Sequence, residues 1–184
     1  ARFLYKRGEY FRAITEYQRL MRLYPHYKST AVRRGVLQSF FHGGAYTEGI
    51  RWVDRFLMPE KSNESAPTGN TLFYKAIFHY QAGQFVSSRK LLQDLPKRRS
   101  ASAYNVVRYY LFWNYLSLGQ WTQAQTYLDA IDPEKPIQRL VMTKADNWRE
   151  WQGSMQKLMR QRPELSPSRP WLGGVLSTLL PGLG

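Results

Sequence analysis

At 184 residues, 43% of them hydrophobic, the chain is long enough to bury a core as one domain. The absence of cysteine excludes disulfides and thiolate chemistry and leaves the redox compartment open. A net charge of +14 argues against cationic partners and for anionic ones: acidic protein segments, phospholipid head groups or nucleic acid.

Residues 4–25 open the chain with LYKRGEYFRAITEYQRLMRLYP. Tyr10, Ile14, Tyr17, Leu20 and Met21 recur at three- and four-residue spacing, which lays them on one helical stripe. Gly8 permits a turn ahead of this helix, Ala13 allows a second helix to approach closely, and Pro25 cannot continue it. The arrangement then returns. Gly8, Gly44, Gly83 and Gly119 each stand two positions before an aromatic residue and a helix-forming run: GEYFRAITEY, GAYTEGIRWV, GQFVSSRKLL and GQWTQAQTYL. Their intervals of 36, 39 and 36 residues are those of a solenoid of helix pairs. The competing reading is an irregular helical bundle in which the glycines recur by coincidence.

The second and third units follow apolar helical runs, VLQSFF and LFYKAIFHY, but depart from the first at several positions. Gly49 and Ser88 stand where Ala13 stands, and Val53 and Leu92 where Tyr17 stands. Pro59 to Asn70, PEKSNESAPTGN, is rich in helix breakers and predicts a long loop that accounts for the stretched middle interval. Pro96 to Ser100, PKRRS, reads as a basic helix C-terminus or as an anion-binding corner. The fourth unit is closer to the first, with Gly119, Trp121, Ala124, Leu128 and Pro133 behind the apolar helix VVRYYLFWNYLSL. After Pro136 a stripe of Leu140, Val141, Trp148, Trp151, Met155, Leu158 and Met159 lacks the glycine opening and predicts a capping helix or helix pair. From Trp171 to Gly184 no residue is charged, a run too short to span a bilayer by itself.

The series Gly8, Tyr10, Ala13, Tyr17, Leu20, Pro25 resembles the tetratricopeptide repeat, and the fourth unit resembles it nearly as well. The looser middle units, with Lys75 where the family prefers a buried leucine, leave their register to be established. The resemblance implies an all-α, right-handed superhelical array of about four helix hairpins over residues 1–135, with a capping region over 136–165 and an apolar tail over 166–184. It further implies that the first helix of each pair lines a groove for a protein segment. Carried onto this sequence, that groove comprises Arg34, Gln38, Phe41 and His42, then Phe73, Ile77 and Tyr80, then Tyr109 and Trp113. Aromatics with an arginine at one end suit a partner with some acidic character. The tail SPSRPWLGGVLSTLLPGLG resembles the entry into the membrane helices that follow such arrays in some bacterial membrane proteins. With Ala1 in place of methionine, it supports an exported, membrane-associated domain on the periplasmic side of a bacterial inner membrane. A tail that folds back onto the last helix is the alternative.

No phosphate loop, dinucleotide fingerprint or zinc-protease motif occurs, and His26, His42 and His79 are dispersed. The expectation is a chain that is not an enzyme and carries no cofactor, metal or small-molecule substrate. A basic helical-repeat nucleic-acid binder is the alternative function, because basic charge interleaved with tyrosine and tryptophan can hold phosphates and stack bases. The variable period and bulky groove positions speak for a protein partner instead.

Overall fold

A computed structural model of the chain describes residues 1–24, 30–58, 69–95, 101–132 and 148–161. The helical stripes appear as α1 (Arg2–Lys6), α2 (Tyr10–Leu23), α3 (Thr30–His42), α4 (Tyr46–Phe56), α5 (Gly69–Gln81), α6 (Phe85–Gln93), α7 (Ala101–Ser117), α8 (Trp121–Asp129) and α9 (Trp148–Gln161). No strand occurs among the described residues. The chain divides into two compact units, Ala1–Pro96 and Lys97–Gly184. The first holds the hairpins α1/α2, α3/α4 and α5/α6; the second holds α7/α8 followed by α9.

Within the first unit each helix packs on the next, and α1, α3 and α5 also touch in that order. This is the packing of a helical repeat array, as the glycine period predicts. Of the predicted loop, residues 59–68 lie outside the described residues, and Gly69 and Asn70 already belong to α5. The segment 96–100, Pro25, Pro133 and the whole apolar tail also lie outside them.

One turn is built four times. At Gly83 the backbone takes φ +73°, the left-handed region that only glycine enters without strain. Gly83 N–H then donates to the Tyr80 carbonyl at 3.0 Å and Gln84 N–H to the His79 carbonyl at 2.8 Å, satisfying two carbonyls that the end of α5 leaves unpaired. Gly8, Gly44 and Gly119 repeat the conformation at φ 77°, 69° and 70°. The matching bonds are Glu9 N–H to Leu4 O, Ala45 N–H to Phe40 O and Gln120 N–H to Tyr115 O, at 3.0, 3.1 and 2.9 Å. A Cβ at Gly83 would meet nothing within 4 Å, so the dihedral angle alone demands glycine there.

The register inferred from the first unit holds in all four. Ala13, Gly49, Ser88 and Ala124, at the close-approach position, are all buried. So are Tyr17, Val53, Leu92 and Leu128, four residues further on. At Gly49 the reason is contact: a Cβ would come within 2.8 Å of the ring of Phe78, which is fully buried and also lies 6.5 Å from Phe40 and 6.4 Å from Tyr46 between ring centroids. Lys75, on α5 where a buried leucine was expected, covers its stem and reaches Asp54 of α4 at 2.5 Å. The departure from the apolar pattern is thus compensated by an ion pair between consecutive hairpins.

In the second unit every residue from Asn105 to Tyr115 is buried except Arg108, which is half-buried. Asn105 donates through Nδ2 to the Asp132 carbonyl at 2.8 Å and accepts the Asp132 N–H at 3.1 Å, which ties the chain beyond α8 back to α7.

Two glycine-to-alanine substitutions separate the two reasons for glycine. Gly83→Ala should destabilise the first unit by about 1–2 kcal/mol, the strain of a left-handed alanine. Gly49→Ala should cost about 1–3 kcal/mol through overpacking against Phe78, even though alanine is the better helix former. Urea denaturation of both variants checks the pair; a stabilised Gly49→Ala would show that α4 and α5 are not in close contact.

Candidate binding face

The first helices of the pairs carry a chemical asymmetry. The stretches forming α1, α3, α5 and α7 contain no aspartate or glutamate, yet they contain Arg2, Lys6, Arg33, Arg34, Lys75 and Arg108. The described acids of the first unit are Glu9, at the start of α2, Glu16 within it, Glu48 and Asp54 on α4, and Asp94 after α6. Two of them meet cations close by in the sequence, and Asp54 meets Lys75 of α5. Glu9 pairs with Arg7 at 3.0 Å and with Arg12, and Glu16 with Arg19 at 3.9 Å. Arg2 and Arg34 form no ion pair among the described residues.

Around these two arginines the first unit gathers tyrosines. Tyr74 of α5 is buried, which pushes its hydroxyl up to about 12; Gln38 and the Arg34 guanidinium act in the opposite direction. Tyr17 is likewise raised by burial, with Arg2 lowering it, and Tyr5 of α1 is raised by burial and then by Tyr10 and Tyr17. The ring of His42 stacks on Tyr10 at 5.7 Å and meets Tyr5 edge-on at 5.7 Å and Phe41 at 5.2 Å. Partial desolvation against these rings holds the imidazole of the still-exposed His42 below its ordinary pKa, favouring the neutral ring.

The predicted groove residues fall into two groups. Arg34 and His42 are exposed and Gln38 and Phe41 half-buried, all four on α3. Phe73, Ile77 and Tyr80 on α5 are buried, as are Tyr109 and Trp113 on α7, so their expected placement on an open groove is corrected. Neighbouring aromatics lie against three of them. Tyr80 meets Phe85 across the Gly83 turn at 5.6 Å, whereas Tyr109 and Trp113 lie 5.6 and 6.1 Å from Trp151 of α9. A helix with apolar residues on more than one side does not reveal which side stays uncovered. Tyr5 and Tyr74 were missed; extending the glycine register back to the short helix before Gly8 would have pointed to Tyr5.

Among the described residues no group of histidines and carboxylates is arranged to hold a metal ion. No described helix is long and apolar enough to cross a membrane, and the tail on which the membrane expectation rests lies outside the described residues.

Residues 1–27 match the family model for the tetratricopeptide repeat. Comparison with curated proteins and with solved structures returned no match. The matched stretch contains α1, the Gly8 turn and α2, the hairpin whose pattern the other three follow.

Buried tyrosines make stability depend on alkaline pH. Tyr74 and Tyr109 are both raised to about 12 by burial, against the ordinary value of 10.0 that the unfolded chain restores. The folded state therefore retains protons that the unfolded state gives up, and stability should be flat with respect to these groups below pH 10 and fall between 10 and 12. At pH 11 each should have lost about 1 kcal/mol relative to pH 8. Denaturation at the two pH values should show a smaller loss for Tyr74→Phe and Tyr109→Phe than for the parent chain.

Proposed function

We propose that this chain is a non-catalytic protein-interaction scaffold of the bacterial cell envelope. In this reading the first-helix face of unit 1 receives a protein segment with acidic side chains, and the chain helps to assemble or hold a membrane complex. The observation that carries the reading is the absence of any carboxylate from α1, α3 and α5, beside the exposed Arg34 and the half-buried Gln38 and Phe41. Placing acids on the second helices and excluding them from the first leaves a field of one sign on one face, which selects an anionic partner and speeds its encounter. Aromatic surface next to that charge supplies apolar contact that a purely electrostatic site would lack. The match of residues 1–27 to the tetratricopeptide repeat supports protein binding as the class of activity.

The envelope assignment rests on the uncharged run from Trp171 to Gly184 and on Arg160, Arg162 and Arg169 before it. Arginines at such a place meet anionic head groups, each contributing about 1 kcal/mol near the surface. Nucleic-acid binding is the rival reading, favoured by the net charge of +14.

Arg34→Glu should leave the melting temperature unchanged, since its side chain is exposed and unpaired among the described residues, and should weaken binding of a glutamate-rich peptide by about tenfold. Unaltered peptide affinity would remove the face from consideration, and a salt-dependent shift of single-stranded RNA, lost in the same variant, would favour the rival reading. Fractionation of cells expressing the full-length protein, with protease added to spheroplasts, should find the repeats membrane-bound and externally cleaved. Recovery in the soluble fraction would end the envelope assignment.

A further inference from the structure

α9 holds the second unit by a narrow contact. Among its described side chains only Gln152 and Met155 are buried, with Trp151, Gln156, Leu158 and Met159 half-buried. Gln152 Nε2 donates to the Leu128 carbonyl at 2.9 Å and to the Ile131 carbonyl at 3.0 Å, and Gln156 reaches Asp129 at 2.7 Å on the exposed side. These acceptors lie at the C-terminal end of α8, where water can replace a departing amide at little net cost. What α9 hides is more apolar than what holds it. Trp151 lies 5.6 Å from Tyr109, 5.9 Å from Phe112 and 6.1 Å from Trp113, and those three side chains are almost wholly buried.

We propose that α9 is a releasable strap over an aromatic docking surface formed by Tyr109, Phe112 and Trp113 of α7. Helices differ in opening free energy according to the apolar area each buries. α7 buries ten of the eleven residues from Asn105 to Tyr115, whereas α9 presents two buried side chains and four partly covered ones, Trp151, Gln156, Leu158 and Met159. α9 therefore opens below the global unfolding free energy while α7 and α8 stay folded. Clustered aromatics are the surface type that dominates binding energy when a partner covers them. The occupant is specified by α9 itself: an amphipathic helix of a partner protein that presents an aromatic residue and, four positions later, a flexible apolar one, as Trp151 and Met155 do. This surface belongs to unit 2 and stands independently of the acidic-segment reading for unit 1.

Native-state hydrogen exchange of the unmodified chain, followed as a function of urea, tests the release. Amides of residues 152–161 should exchange at least about tenfold faster than those of residues 105–115, with a weaker urea dependence that marks a local opening. Equal rates and equal urea dependence would mean that α9 leaves only when the unit unfolds, and the strap would be rejected. Trp151→Ala tests the surface. It should raise the binding of an apolar fluorescent dye several-fold while slow exchange persists at residues 105–115. Absence of added dye binding, or loss of the slow amides, overturns the proposal, because α9 would then conceal no surface or would be integral to the unit.

Discussion

A left-handed residue between two antiparallel helices constrains everything that stacks on them. Because Gly8, Gly44, Gly83 and Gly119 take nearly the same φ and close the same pair of carbonyl bonds, the second helix of every pair leaves the turn along nearly the same path. A common path puts residues five and nine positions past each glycine at the same place in every hairpin. Those places are the crossings, where Ala13, Gly49, Ser88 and Ala124 keep backbones close and larger apolar side chains one turn further on fill the space between helices. Variation elsewhere is tolerated because it does not alter the turn. Lys75 shows how far: a lysine at an apolar position is absorbed by extending its ammonium to Asp54.

The same geometry sorts charge. Glu9 and Glu16, beside and within the second helix α2, find arginines one turn away, and such pairs contribute little to stability. Their consequence is electrostatic: with local anions neutralised there, the uncompensated charge of Arg2 and Arg34 stands among tyrosines that burial keeps protonated. The half-buried Tyr5 and Phe41 nearby add contact surface without opposing an anionic partner. The second unit treats its aromatics differently, enclosing Tyr109 and Trp113 beneath Trp151. Equivalent positions on first helices thus become exposed or half-buried in α3 and interior in α5 and α7, according to what each helix has for a neighbour.

Periodicity alone determined the all-helical architecture, the four turns and the buried positions after them, because a left-handed turn admits essentially one residue type and close helix crossings admit only small ones. Those constraints are local and leave a residue-by-residue record. Tertiary structure alone decided which aromatic residues are free to meet a partner. Phe41 and Trp113 stand on corresponding helices beside similar apolar neighbours, yet one is half-exposed and the other buried, because burial depends on elements distant in sequence. Trp151 lies 38 residues beyond Trp113, in a helix with no glycine turn to announce where it packs. Contacts of that range are set by the packing of complementary faces, and a helix with several apolar faces does not specify in its own sequence which of them will be covered.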